Sequence, residues 1–442
     1  MKCLFLSCFF LGCLTTSVSA QNAEQTSLTG RWVITADFYG TPRYMRMQLE
    51  QSGDKLSGNV QGDKLDGSIS GSRVHFVAKN DSGGTNEVEA TVENGKMTGD
   101  VAQKGPDDPV ITRFHFTAVL VPPLKRGTPQ RHEFTPTVFY RQFSPFNKPV
   151  LTIAPGDTVH TWTVDAGGND AQSVKRIAGG NPETGPFYIE GAMPGDTLVV
   201  HLVRLRLNRD WAGSDDAIVD RGLDSDLAVK MKDVGKSVRW HLDTAKGVAS
   251  PANAGSDLAN FTVPLRPMLG CVATAPGTGG APPPTGDSGG WGGNMDFNEV
   301  GEGATLYLPV SNPGALLYVG DGHALQGDGE LNGNALETSM DVEFSVDVIQ
   351  GKRVPSVRVE TPSAIIAMGL DGSLDGAFKD ATSSMARWLD EDYRLTPSEI
   401  AQVLGSSSEY KVSEVADRNA GIVLRINKDR LKGLVRKSGD KQ

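Results

Sequence analysis

The chain has 442 residues, 38% hydrophobic and 22% charged, the balance of a soluble globular protein whose length favours two cores over one. A formal net charge of −10, spread without acidic blocks, excludes the basic surface that nucleic-acid binding requires. With 52 glycines, turns and short strands are favoured over long helices.

Residues 1–20 stand apart: Lys2 is the only charge, residues 4–14 are apolar, and Ser17, Ser19 and Ala20 place small residues where a leader is cut. They read as a signal peptide cleaved after Ala20, which places the mature chain in the periplasm or outside the cell. A lipid anchor at Cys13 is the alternative. No segment is long and apolar enough for a membrane span. Cys3, Cys8 and Cys13 fall in this leader, so Cys271 is the one thiol of the mature chain and no intrachain disulfide is expected.

Residues 27–121 predict an antiparallel β-meander, barrel-like and accessory. Met45 to Glu50 alternates with the period of a half-buried strand, and a unit opening on Lys55-Leu56, Lys64-Leu65 and Lys96-Met97 follows Gly-Asp or Asn-Gly turns. His75 and His115 alternate with apolar neighbours and read as packing or solvated residues. The proline-bearing run 122–130 reads as a linker.

Residues 131–442 predict a second, strand-rich domain of β-sandwich type, mainly β with an α+β portion at its end. Ala154-Pro155-Gly156-Asp157-Thr158 and Met193-Pro194-Gly195-Asp196-Thr197 are near copies of one turn-plus-strand unit. Leu374, Phe378, Ala381, Met385 and Trp388 are spaced as one face of a helix. Thr396-Pro397-Ser398-Glu399 has the capping-box pattern of another. The Gly/Pro-rich segment 267–294 is read as a loop bordering a site.

The densest polar constellation is residues 320–330, where Asp321, His323, Gln326, Asp328 and Glu330 crowd among four glycines. A metal takes His, Asp and Glu ligands, and a further carboxylate can move protons, so this set suits hydrolysis; a polar Gly-Asp turn with an incidental histidine is the plain alternative. Asp165, Glu190, Asp296 and Glu337 end or interrupt apolar strands and are weaker candidates. His132, His160, His201 and His241 form no paired motif. Cys271, between apolar neighbours, reads as a packing residue before a nucleophile, and no Gly-x-Ser-x-Gly elbow is present.

Residues 181–192, 264–270, 292–296, 320–337 and the stretch from Glu360 to Leu389 together resemble the acetamidase/formamidase family, in order and spacing, over about residues 131–430. The resemblance implies hydrolysis of the C–N bond of small linear amides, a small-molecule amide substrate, a homodimer or higher oligomer, and a divalent metal, zinc. It directs attention to His323, Asp165, Asp296 and Glu337 as metal ligands, to Glu330, Asp328 and Gln326 as catalytic groups, and to Asn294, Gly327 and Gly329 as substrate contacts. The metal would activate water while Glu330 or Asp328 protonates departing ammonia. A non-catalytic exported binding protein, or a hydrolase of lactams or N-formyl compounds, are the alternatives. The front module and the export signal lie outside the family's usual pattern.

Overall fold

In the computed structural model, which describes residues 27–38, 40–231, 235–253 and 255–437, the recurring lysine–apolar unit begins a strand each time. Leu56, Leu65 and Met97 turn inward and are buried. Two-residue turns with positive φ join such strands: Gln61-Gly62 at 55° and 104°, Asn94-Gly95 at 50° and 73°. Those angles match the right-handed twist of the flanking strands. Eight strands, from Gly30–Phe38 to Ile111–Leu120, close into an antiparallel barrel because the first pairs with both the second and the last. Trp32, Met47, Phe76 and Phe116 fill its interior. His75 and His115 lie on its outer surface beside Glu87 and Asp100. The expected signal peptide and Cys13 lie outside the described residues.

The two near-copy turns share one device. Asp157 accepts from the Ala154 and Gln130 amides at 2.9 and 2.8 Å and meets His132 Nε2 at 2.8 Å. Asp196 accepts from the Met193 and Gly351 amides at 3.0 and 2.8 Å and pairs with Arg31 at 2.9 Å. Each aspartate folds its own turn back three residues and pins it to a distant segment. The strands Thr158–Thr163 and Thr197–Leu207 leave from these turns.

Those strands belong to a 9-stranded sheet that faces a 12-stranded sheet. Phe187, Leu269, Val272 and Leu317 from one sheet meet Leu198, Leu306, Phe344 and Ile366 from the other in a single core. The run 122–130 lies along this sandwich, tied by Leu124 N–H to Gln350 Oε1 at 2.9 Å and by Arg126 to Asp347 at 2.6 Å.

Two local expectations are corrected. The first C-terminal helix, Leu374–Tyr393, buries Ala377, Ala381, Met385, Trp388 and Leu389, whereas Leu374 and Phe378 are exposed. Small alanines let the helix lie close to the Ala364–Asp371 strand, and Phe378 instead stacks on Tyr410 at 4.6 Å. The segment 267–294 is only partly loop: Met268–Thr274 is a wholly buried strand and Gly292–Asn294 pairs with it. The second helix, Pro397–Ser407, carries the capping box in full.

Asp196 has no exposed surface. Asp196→Ala would leave two backbone amides without acceptors and is expected to destabilise the protein by about 2–3 kcal/mol. The midpoint of urea unfolding reads this directly; an unchanged midpoint would mean that the carboxylate does not hold the turn.

Candidate metal centre

Four adjacent strands of the 12-stranded sheet deliver the polar groups. Leu317–His323 lies between Met268–Thr274 and Glu337–Thr338, and Gly292–Asn294 pairs with the far side of Met268–Thr274. His323 stands opposite Glu337 in register. Its Nε2 lies 3.1 Å from Glu337 Oε1, 3.3 Å from Asp321 Oδ2 and 3.9 Å from Asp296 Oδ1, with the imidazole fully buried. None of these approaches has hydrogen-bond geometry. Nε2, Asp296 Oδ1, Asp321 Oδ1 and Glu337 Oε2 are all buried without a hydrogen-bond partner. Such orphaned atoms are costly unless something else engages them.

The histidine's orientation is set by Gln326. The amide nitrogen of Gln326 donates to the carbonyls of Asp296 and of Ser413, the latter at 3.0 Å, which leaves Oε1 facing His323 Nδ1 at 3.0 Å. An oxygen there can only accept, so Nδ1 carries a proton and Nε2 is the nitrogen turned to the carboxylates; with a cation in the cluster, Nε2 would give up its own proton and offer its lone pair. Asn294 does similar work. Its amide nitrogen donates to Asp296 at 2.6 Å and Asp417 at 2.5 Å, and its oxygen accepts from Asn181 at 2.9 Å.

Among the described residues, donor atoms within 4.8 Å of one another form three overlapping sets: Asp296–Asp321–His323, His323–Glu330–Glu337 and Asp296–Glu330–Asp417. Asp296, Asp321, Glu330 and Asn181 all have left-handed backbone, with φ of 42°, 53°, 48° and 49°. That conformation costs non-glycine residues free energy and persists where surrounding structure imposes it. Room for the cluster comes from Gly270: a Cβ there would lie 2.4 Å from Asp296 Oδ1, 2.5 Å from Asp321 Oδ2 and 3.1 Å from His323 Cε1.

Electrostatics follow from crowding. Burial lifts Asp296 well above the carboxylate range, and the Glu330 charge lifts it further. Burial also lifts Glu330 well above that range, against the pull of His323. It takes Glu337 to about 7 despite His323, Asp417 to about 6 despite its bond from Asn294, and Glu414 to about 8 with help from Asp417. Burial alone would strip His323 of its proton, but Glu337 and Asp321 outweigh it and push the imidazolium well above its usual value. One cation in place of those protons would balance the same charges.

Of the residues singled out from sequence, His323, Asp296, Glu337, Glu330, Gln326 and Asn294 converge here. Asp165 does not: its carboxylate pairs with buried Arg209 at 2.8 Å, so the metal role expected for it is already filled by a guanidinium. Arg209 in turn donates to Thr338 Oγ1 at 2.9 Å and to the Glu337 carbonyl at 3.2 Å, so Asp165 supports the strand that carries Glu337. Asp328 is exposed and accepts from Asn298 at 2.7 Å, away from the donor sets. Asn294 has its amide engaged by Asp296, Asp417 and Asn181, so it holds carboxylates in place where a substrate contact was expected. Gly327 is exposed and Gly329, at φ 87°, turns the chain so that Glu330 re-enters the cluster.

Sequence reasoning counted Asp321 in the polar constellation without giving it a role of its own, and gave none to Asp417 or Asn181. Asp321 had a signal, two residues before His323 on one strand. Asp417 had none; a loop from the opposite sheet brings it in. Cys271 is buried among Phe143, Ala273 and Tyr318, and burial pushes its thiol well above the ordinary value, with Glu183 adding to it. His132, His160 and His201 bond Asp157, Glu133 with Asp341, and Thr305 respectively, outside the centre.

Comparison with known proteins bears on this arrangement. Residues 283–402, which hold Asn294, Asp296, Asp321, His323, Gln326, Glu330 and Glu337, match the model of the Acetamidase/Formamidase family. A crystal structure of a protein assigned as an acetamidase/formamidase, from Thermoanaerobacter tengcongensis, superposes with a TM-score of 0.60 and 27% identity over 69% of this chain and 98% of that one. The stretch that carries the centre is thus similar in sequence to the Acetamidase/Formamidase family, and the region around it is similar in fold to solved acetamidases. An acetamidase of Yersinia enterocolitica gives a TM-score of 0.60 and 27% identity over 69% and 94%. That of Bacillus halodurans gives 0.58 and 26% over 68% and 99%. A candidate formamidase of Schizosaccharomyces pombe is 49% identical over 41 residues, which span 9% of this chain and 10% of that protein. The extent shared with the acetamidase/formamidase structures is about the size of the region that follows the barrel.

Two outcomes are expected of this centre. Gly270→Ala places a methyl among the donor oxygens and should lower the metal content of the purified protein while circular dichroism stays unchanged; full metal content would mean that the carboxylates can move aside. The raised carboxyls also fix a sign. Between about pH 4.5 and 8 the folded chain keeps protons that the unfolded chain has released, so stability without metal falls as pH rises through that window. Thermal midpoints of chelator-treated protein should drop from pH 5 to pH 8, and added zinc should raise them more at pH 8. Midpoints climbing over that range would contradict the charge arrangement described.

Proposed function

We propose that this protein is exported and hydrolyses short linear amides of the formamide or acetamide kind to carboxylate and ammonia, assisted by a divalent metal, zinc. The observation that carries the reading is the convergence of an orphaned His323 Nε2 with orphaned oxygens of Asp296, Asp321 and Glu337 in a buried, glycine-cleared cradle. A mixed set of one imidazole and several carboxylates suits a divalent cation such as zinc. The acetamidases and the acetamidase/formamidase that share this fold supply the reaction class. The leader pattern of residues 1–20 supports export, and the family resemblance supports a homodimer or higher oligomer.

His323, Asp296 and Asp321 would hold the ion, with Glu337 completing or flanking the set. When bound, the ion supplies positive charge that polarises the amide carbonyl and acidifies water. The protein's own groups do the rest. Gln326 keeps the His323 lone pair aimed at the carboxylates, so it acts through the histidine and touches no reactant. Asn294 holds the Asp296 and Asp417 oxygens apart. Glu337, which side-chain exposure of 12% leaves reachable, is the group placed to accept a proton from water and return one to the departing nitrogen. Glu330, its Oε1 fixed by the Ala335 amide at 2.9 Å, stands behind it as a second store of charge.

The decisive experiment follows ammonia release from formamide, acetamide and larger amides, with and without chelator, alongside metal analysis. His323→Ala should lose both metal and activity. Gln326→Ala should weaken metal affinity or activity by about 10- to 100-fold, the usual cost of removing a partner that orients a ligand. Near-normal metal content and turnover in His323→Ala would end the proposal. Activity confined to lactams or N-formyl compounds would keep the centre and change the substrate.

A further inference from the structure

A cavity of about 530 Å³ lies where the barrel meets the sandwich. Arg43, Tyr44 and Arg46 line it from the barrel strand Thr41–Ser52, and Thr278, Ser311 and Arg353 from the other side. No aspartate or glutamate is among its lining residues, and none of the three arginines forms an ion pair among the described residues. This is unusual company for a chain of net charge −10, in which carboxylates outnumber cations. Arg31, in the neighbouring strand, does have its partner in Asp196.

Two of the three cations are packed against neighbouring groups. Arg46 lays its stem across Gly195, where φ is 94° and a Cβ would come within 1.9 Å of Arg46 Cδ. Arg43 sits over the Phe38 ring at 4.6 Å. The Thr278 hydroxyl donates to the Pro42 carbonyl and fastens the glycine-rich loop to the strand that carries Arg43 and Arg46. Partial desolvation in the cleft, with the like charge of Arg46, holds the Arg353 guanidinium below its ordinary value. Like charges gathered without a counter-charge repel, and an anion between them reverses the sign of that energy.

We infer that this cleft binds a small, multiply charged anion bearing carboxylate or phosphate groups, gripped between barrel and sandwich by Arg43, Arg46 and Arg353. The guanidinium fork matches both oxyanions, offering two parallel donors to each. The volume is that of a small-molecule site. Cations contributed by two regions require at least two negative charges on the ligand to satisfy both sides. Tyr44 and Ser311 add hydroxyls to the lining. The inference stands apart from the amide reaction, because none of these residues belongs to the His323 centre.

The test is titration calorimetry on the full chain at low salt, with citrate and inorganic phosphate as separate probes, repeated on Arg46→Gln and Arg353→Gln. At least one probe should bind, and each substitution should weaken it by roughly tenfold or more, the loss expected for a charge-assisted hydrogen bond. Ammonia release and circular dichroism should be unchanged in both variants, which separates a lost ligand contact from a lost fold. Tighter binding of citrate assigns the site to polycarboxylates, and tighter binding of phosphate to phosphorylated molecules. No binding of either probe at millimolar concentration, or the same affinity in both variants as in the parent chain, would overturn the assignment.

Discussion

Mutual burial of acid groups is the constraint on which this centre depends. Asp296, Asp321, Glu330, Glu337 and Asp417 gather around His323 where little solvent reaches. In such surroundings like charges repel far more strongly than in water, so the set is tolerable only with protons or a cation among its members. The raised carboxyls and the capacity for a metal are therefore one physical fact. Anionic charge that helps to lift the pKa of Asp296, Glu330, Glu337 and Asp417 is the charge that a divalent ion would balance.

A sheet is well suited to impose this. Neighbouring strands are held at fixed spacing by backbone hydrogen bonds, so Asn294, Gly270, His323 and Glu337 keep their separations without help from their own side chains. The left-handed residues add what a regular strand cannot. A strand sends successive side chains to opposite faces, and Asp321 departs from that rule at φ 53° while remaining within Leu317–His323. The strain is sustained because paired strands on both sides leave the segment no easier conformation. Orienting amides then finish what the backbone begins, with Gln326 and Asn294 each fully engaged before any substrate arrives.

Much of this was legible from the chain and some was not. Period-2 alternation and Asn-Gly turns foretold the barrel, because in hairpins the local signal and the tertiary pairing are the same thing. His323 and Glu330 were found because polar groups crowd into a short glycine-rich stretch, and Glu337 and Asp296 because the family resemblance added weight to carboxylates beside glycine-rich turns. Asp165 misled because a carboxylate at a strand end looks alike whether it meets a metal or an arginine, and Arg209 lies 44 residues away. Asp328 misled because spacing within a turn does not say which side chain faces inward. Asp417 was invisible: its place depends on packing one sheet over the other, which no local pattern records.

The junction between the two regions differs in kind from either core. The barrel is filled by its own Trp32, Phe76 and Phe116, and the sandwich by Phe187, Leu317 and Phe344, with no apolar cluster shared among the described residues. What crosses between them is polar: Arg31 to Asp196, Thr278 to Pro42, and the arginine-lined cleft. An apolar seam would hold whether or not anything else bound there. A polar seam responds to charge, because each contact trades hydration for a partner and the net gain is small. The barrel's attachment is for that reason the part of this molecule most open to control by small ions.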